Sequence, residues 1–515
     1  MDSCVAMTRV KISSEARRRC LGHVRSLLPI MGVYLVLAFY GIDHQSLWED
    51  EFFSVERIAS PIPIWKDGHG FLYFALLNFW AQLGTSELML RSLSVLFGAA
   101  AVGLFYAVGI RLLDRKSAVI ATALVATSPF LIWYSQEARY VTLTLAATLL
   151  AMYAFDRAVT DARFRWWIAA GGATLVALFS FLSSLLLPLV QALYLFASPL
   201  RRPLLKRWTM CQIVVFAVFA LWFVSGTHFL RAFLEAKSAG EQIVSNTKVF
   251  PFTVDYNQVK PAVIPYTFFT FSAGFSLGPS SRELHADRSL APLVADAPIL
   301  VLLSALYGGL LVAGLRALRR RRDSGVLLAL WVIVPVLGVF GIAKLLNVYY
   351  VVRYVAIAFP AYVMILACGI ASFRRAGVQF MLVGAVLAVH GAALANYYFN
   401  PRYAREDTRA AAQFLTSRAQ SQDLILVVGT VSSLPHYYKG SAPLVPLRMP
   451  EGPRRSPEEQ LAELSAGHNR LWLVQIRPWQ VDRGGKVKTA LDNSHEIIEQ
   501  HYFSGVDVHG YGIQR

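Results

Sequence analysis

The apolar residues of this chain fall in long, nearly unbroken blocks, and no other feature constrains its fold as tightly. A helix rises about 1.5 Å per residue, so roughly 20 apolar residues cross a bilayer's hydrocarbon core. Blocks of that kind recur from Leu27 to Leu394. Inside hydrocarbon every backbone N–H and C=O must be satisfied within the segment, and a helix does this by itself. The whole chain, 515 residues and 56% hydrophobic, is too apolar for an ordinary soluble globular protein. The sequence therefore predicts a polytopic α-helical membrane protein.

Apolarity alone delineates eleven spans, at about 27–42, 88–109, 117–134, 141–155, 166–182, 185–200, 208–226, 298–315, 326–343, 354–371 and 378–395. With the N-terminus in the cytoplasm, the loops Arg111–Lys116, Asp156–Arg165, Arg201–Arg207, Arg316–Asp323 and Phe373–Ala376 face the cytoplasm. Each carries two or more Arg or Lys. Basic residues mark cytoplasmic loops, and the spans were drawn without them. Counting the apolar piece at 71–83 as a span would turn Arg319–Arg322 outward, so it is expected to lie at the interface or within its loop. The net charge of +17 is thus spent on topology and tails, which removes the main argument for a nucleic-acid partner.

The expected organisation is a basic cytoplasmic tail (1–26), a transmembrane domain (27–395) with long external loops at 43–86 and 227–297, and an extracytoplasmic region (396–515). Basic residues precede the first span, but no small-residue cleavage site follows it, so it is expected to remain uncleaved. In the last region a helical pattern at Arg405–Ala419 precedes the apolar runs Leu424–Val428 and Leu471–Val474. A helix followed by short buried strands predicts a small α/β domain. Cys4, Cys20, Cys211 and Cys368 lie before or within apolar blocks, so neither disulfides nor a cysteine metal site is expected.

Four external segments hold residues suited to chemistry. Trp48-Glu49-Asp50-Glu51-Phe52-Phe53 follows the first span directly. Acids there can simply complement a helix N-terminus, or serve as base and orienting groups held at the membrane surface by the aromatic neighbours. Lys66 and His69 are cationic candidates for a phosphate, although a lone loop histidine is more often just solvated. The turn Tyr134–Tyr140 carries Glu137 and Arg139, too close in sequence to face each other on one helix and so free to reach separate partners. Its tyrosines also suit a plain interfacial anchor. Arg353 stands at the head of an apolar helix, after Tyr350 and before Tyr354. It suits either snorkelling to the headgroups or clamping a lipid phosphate.

At these residues the sequence resembles the C-type glycosyltransferase superfamily, and within it family 39. That family includes protein O-mannosyltransferases; the lipid A aminoarabinose transferases are more distant relatives. The matching marks are Leu47-Trp48-x-Asp50-Glu51, Asp67-x-His69, Leu90–Gly98, Ser128-Pro129-Phe130 leading to Tyr134–Arg139, Val352-Arg353-Tyr354 to Phe359-Pro360, and Thr408–Leu415. Gly70 and Phe71 stand where relatives often have two prolines.

The resemblance implies a bundle with catalytic external loops and a polyprenyl-phosphate-linked sugar as donor. It implies Asp50 as catalytic base, with Glu51 beside it and Glu137 orienting base or acceptor. Arg353, His69, Lys66 and Arg139 would meet the donor phosphate, and Trp48, Tyr134, Tyr350 and Tyr354 would line donor and acceptor. The acceptor would be a hydroxyl of a glycan, lipid or protein, at the outer face of a bacterial inner membrane and among its lipids. Clustered carboxylates also suit Mg²⁺ or Mn²⁺, but the resemblance implies no required metal. A transporter or flippase for a lipid-linked glycan is the alternative. Such a protein should place its charges near the bilayer midplane, whereas these collect at loop ends.

Overall fold

The computed structural model of the chain describes residues 14–61, 63–66, 70–161, 163–226, 259–287, 289–429, 433–447, 461, 463–480, 482 and 484–513. His69, Asp67 and residues 227–258 of the 227–297 loop lie outside the described residues.

Each of the eleven expected spans coincides with helix. Eight described helices are long and apolar enough to cross a bilayer, beginning with Gly22–Phe39 and Glu87–Leu112 and ending with Val352–Ala371 and Ala376–Phe399. A pair of helices, Arg115–Ala126 and Pro129–Ser135, is long and apolar enough to cross only when counted together, and is bent by 50° at Thr127-Ser128. The bend has a local cause: Pro129 cannot donate to the preceding turn, so the helix stops before it and restarts. The two remaining expected spans are the shorter helices Phe164–Ser180 and Leu182–Phe196. Side chains begin the long helices where hydropathy does: Ser86 accepts from Met89 N, and Asp114 from Ser117 N.

Helices Ala297–Leu318 and Phe359–Ala371 approach closely through glycines. A Cβ on Gly314 would lie 2.0 Å from the Ile365 carbonyl oxygen, and one on Gly369 would lie 2.2 Å from that of Leu310. With no hydrophobic drive between helices in lipid, such close packing is what holds them. The piece at 71–83 is a short apolar helix packed on one side against the bundle. Tyr73, Phe74 and Leu77 are buried on one face, Phe79 and Leu83 are exposed, and the Tyr73 hydroxyl bonds Ser94 Oγ at 2.8 Å.

Beyond Phe399 the chain forms a five-stranded sheet. The strands are β1 (Leu424–Gly429), β2 (Leu444–Pro446), β3 (Arg470–Ile476), β4 (Glu496–Phe503) and β5 (Val506–Gly512), in the order β2-β1-β3-β5-β4. β1 pairs parallel with β2 and β3, while β5 runs antiparallel to β3 and β4. Alternation along β1 and β3 sends side chains to two cores. Ile425, Val427, Trp472 and Val474 pack under helix Thr408–Arg418, and Leu424, Leu426, Leu471 and Leu473 under helix Lys486–Ser494. The small α/β domain expected from the sequence is therefore present.

This domain sits on the first loop. The Tyr437 hydroxyl accepts from Leu47 N and donates to Glu87 Oε1, both at 2.8 Å. Ser46 Oγ donates to the Glu406 carbonyl at 2.7 Å, and Arg409 Nη2 donates to the carbonyls of Asp43 and His44.

Candidate active site

Helix Glu49–Ala59 carries three acids in its first turn, where its N–H groups point outward and favour negative charge. Consecutive helix positions diverge by about 100°, so Asp50 and Glu51 face different surroundings.

Glu51 faces inward and is fully buried. Arg91, near the start of helix Glu87–Leu112, grips it through two N–H donors: Nε to Oε1 and Nη2 to Oε2, both at 2.7 Å. The other Arg91 donors reach the carbonyls of Ile42, Gln45 and Ser46, so all five N–H groups are used. Glu51 also accepts from Ala138 N at 2.9 Å and from Arg405 Nη1 at 3.2 Å. Burial alone would raise its pKa; Arg91, Arg405 and the Ala138 N–H outweigh it and hold the carboxyl below its ordinary value.

Asp50 faces Arg353. Arg353 Nη1 donates to Asp50 Oδ2, which joins the first loop to the head of the Val352–Ala371 segment across 303 residues of sequence. The Asp50 side chain keeps 26% of its surface exposed and Arg353 keeps 15%. Arg139 adds a bond from Nη1 to the Asp50 carbonyl at 3.0 Å and one to Ser54 Oγ at 3.3 Å. Burial raises the Asp50 pKa, but Arg353, Arg139 and the more distant Arg477 overcome it and bring it down to about 2. Asp50 is an anion at neutral pH.

Glu137, on the turn after Pro129–Ser135, is also fully buried. Its Oε1 accepts from Arg405 Nη2 at 3.1 Å. Its Oε2 is buried and finds no hydrogen-bond partner among the described residues. Burial, reinforced by Glu51 and Asp50 and only partly offset by Arg405 and Arg353, pushes its pKa up to about 7. Glu137 and Arg139 reach separate partners, Arg405 and the Asp50 backbone, as their spacing predicts.

The other sequence candidates fall around this centre in different ways. The Trp48 ring has the guanidiniums of Arg405 and Arg477 over it, at 5.5 and 5.4 Å. The ring of buried Tyr134 packs edge-to-face on Phe130 at 4.9 Å. Arg353 lies over Tyr354 at 5.8 Å, and Tyr354 packs on Phe181, which stacks on Tyr140. Tyr350 bonds Thr267 Oγ1 at 2.8 Å, a helix away from the acids. Lys66 is half-buried in the one-turn helix Ile64–Lys66.

Sequence reasoning missed three guanidiniums. Arg91 lay unremarked inside a motif. Arg405 was read into a helix that begins only at Thr408, where Asp407 caps it by accepting from Ala410 N at 3.0 Å. That start leaves Arg405 on extended chain, free to turn inward. Arg477, just past β3, pairs with Glu406 through two bonds of 2.7 and 2.9 Å and reaches Glu49 at 3.5 Å. Its φ of 52° is left-handed, a costly conformation for a residue with a side chain.

Both Glu51 oxygens are occupied by N–H donors, and among the described residues no group of three or more His, Cys, Asp or Glu is arranged to hold a metal.

Known proteins resemble the chain in part of its sequence and in its fold. Residues 68–224 match the family described as dolichyl-phosphate-mannose-protein mannosyltransferase. The whole chain superposes on ArnT from Cupriavidus metallidurans bound to undecaprenyl phosphate, with a TM-score of 0.57 at 13% identity, covering 95% of this chain and 98% of that one. It superposes also on the Archaeoglobus fulgidus oligosaccharyltransferase tethered to an acceptor peptide containing the NVT sequon (TM-score 0.51, 12% identity, 96% and 74% covered). The same enzyme in complex with Zn and sulfate gives a TM-score of 0.50 at 15% identity, covering 95% and 73%. No curated protein sequence matches significantly. The chain thus shares its fold with ArnT and the oligosaccharyltransferase, and the family match falls on the part of the chain that holds the Leu90–Gly98 and Tyr134–Arg139 motifs.

Proposed function

We propose that the chain is an inverting glycosyltransferase that moves a sugar from a polyprenyl phosphate to a hydroxyl acceptor on the extracytoplasmic face. One observation carries this reading: an ionised, partly exposed carboxylate, Asp50, touches a guanidinium, Arg353, at the head of an apolar helix. A base and a phosphate-binding cation thus meet where a lipid-linked substrate presents its reacting bond. The folds of ArnT and the oligosaccharyltransferase, and the family match over 68–224, support it.

In the reaction the acceptor oxygen attacks the anomeric carbon. The bond from that carbon to the phosphate oxygen breaks, and its electron pair leaves with the polyprenyl phosphate. The acceptor proton passes to Asp50. Positioned base catalysis of this kind contributes about 10²–10⁴-fold. Charge grows on the leaving phosphate, and Arg353, with Arg139 behind it, is placed to stabilise it, an effect worth about 10²–10³ per donor. Without donor, Arg353 pairs with Asp50 and makes it a poor base. A donor phosphate competes for the same guanidinium and so restores basicity to Asp50 as it binds. His69 and Lys66 are further candidates for the phosphate.

A flippase needs its charges near the midplane. These acids and arginines sit at helix ends instead. The reading is tested by extracting lipids from cells lacking the protein. A polyprenyl-phosphate-linked sugar should accumulate on the outer leaflet; its accumulation on the cytoplasmic leaflet would favour the flippase.

A further inference from the structure

Arg91 and Arg405 are both buried, and both bond Glu51, but they are satisfied very differently. Arg91 uses every donor. That is how a guanidinium looks when its task is to hold a fold together. Arg405 binds Glu51 at 3.2 Å, Glu137 at 3.1 Å and the Gln136 carbonyl at 3.3 Å, all longer than the four Arg91 contacts of 2.6–2.8 Å. Its Nε is buried without a hydrogen-bond partner among the described residues, and so is Glu137 Oε2 beside it. A purely structural lock would not leave a buried donor and a buried acceptor unmatched, because each orphan costs about 1–3 kcal/mol.

Arg405 comes from the linker into the C-terminal domain, between the turn Pro401–Tyr403 and helix Thr408–Arg418. Its neighbour Glu406 is clamped by Arg477 at the end of β3, and Arg477 also reaches Glu49 on the acid helix. Both guanidiniums lie against the Trp48 ring. The sheet domain is thereby connected through Arg477, Glu406 and Arg405 to Glu51 and Glu137.

We propose that Arg405 is a positioning residue of the acid centre, and that the C-terminal sheet domain takes part in the reaction by presenting it, with Arg477, to the helix that carries Asp50. This rests on the transferase reading for its kinetic consequences. Arg405 acts through the two glutamates: it fixes the Tyr134–Tyr140 turn against the first loop and biases the charge on Glu137. The groups facing Glu137 are Arg405, Glu51, Arg353 and Asp50, with the tyrosines Tyr73, Tyr134 and Tyr397 around them. Of these, Arg405 is the largest influence favouring the carboxylate.

The test uses the full chain in detergent or nanodiscs. The protonated carboxyl stretch of Glu137, assigned as the infrared band that Glu137→Gln removes, is followed against pH. In Arg405→Lys, which keeps the charge but not the fork, the titration should move upward by about one pH unit, and in Arg405→Gln further. In the transfer assay, kcat of Arg405→Lys should fall about 10–100-fold with donor KM held, as expected when a reacting group is misplaced. The pH limb governed by Glu137 should rise with it. Arg477→Gln should shift the same band in the same direction, by less. If Arg405→Gln alone does not fold, Arg405→Lys and the double variant Arg405→Gln/Glu137→Gln carry the test. In the double variant the loss of kcat should be smaller than the two single losses combined. An unmoved titration in Arg405→Lys, with kcat intact, overturns the proposal. A wild-type protein that folds and titrates but transfers nothing refutes the transferase reading instead and leaves the infrared result to decide on Arg405.

Discussion

Two sides of a single helical turn differ more than any two domains of this protein. On the Glu51 side the carboxylate is sealed, gripped by Arg91 with all five donors in use, and backed by Ala138 N–H. On the Asp50 side the carboxylate keeps a quarter of its surface, and its guanidinium partner has a buried Nε without a hydrogen-bond partner among the described residues. Adjacent residues of the same chemical type thus do opposite things. On the proposed reading, the saturated network assembles the site and the unsaturated one receives the substrate.

The comparison can be broken most decisively on the sealed side. Arg91→Met leaves a buried carboxylate without its main partner, and removal of one member of a buried pair costs about 3–5 kcal/mol. A large fall in thermal stability is expected, with activity lost because the site is no longer assembled. On the open side, Arg353→Gln should cost far less stability than Arg91→Met and reduce transfer about 10²–10³-fold. Equal loss of stability in the two variants would erase the distinction.

Glu137 sharpens the comparison through pH. Its folded pKa, about 7, stands above the ordinary 4.5 because burial outweighs Arg405. A raised pKa means that the folded state binds the extra proton. The contribution of Glu137 to stability is therefore complete below about pH 4.5 and is lost as pH rises towards 7. Stability measured by thermal unfolding should fall across that window in wild type, and the slope should flatten in Glu137→Gln. Asp50 runs the other way: its depressed pKa adds stability above about pH 4 that is lost as pH falls towards 2.

The smallest effect belongs to the docking of the sheet domain. Tyr437→Phe removes the hydroxyl shared by Leu47 N and Glu87, worth about 1 kcal/mol per bond. Limited proteolysis of the linker around Arg402–Asp407 should speed up modestly while transfer persists.

What could be read from sequence divides along a physical line. Membrane helices announce themselves because hydrocarbon demands about 20 apolar residues in a row, and all eleven expected segments coincide with helix, although only eight are long enough on their own. The bend at Thr127-Ser128 was visible only as Pro129. Asp50, Glu137, Arg139 and Arg353 stood out because charge at the end of an apolar block is conspicuous, and the structure gathers all four. Arg91 did not stand out, since an arginine near the start of an apolar helix resembles one that snorkels. Its signal was its place in the Leu90–Gly98 motif, one turn into the helix. Arg405 was hidden by apparent helical periodicity. The cap at Asp407 was the available clue, because a helix capped there cannot include Arg405. Arg477 carried no local sign at all: its partners lie 71 and 428 residues away.

The most direct measurement is single-turnover transfer by Asp50→Asn, alongside its binding of undecaprenyl phosphate. The substituted side chain keeps its size and can still hydrogen-bond, but it no longer accepts a proton or holds Arg353 electrostatically. The account predicts an intact fold, lipid-phosphate binding equal to or tighter than wild type, and sugar transfer lowered by about 10²–10⁴-fold. Transfer at the wild-type rate with the amide in place would contradict it.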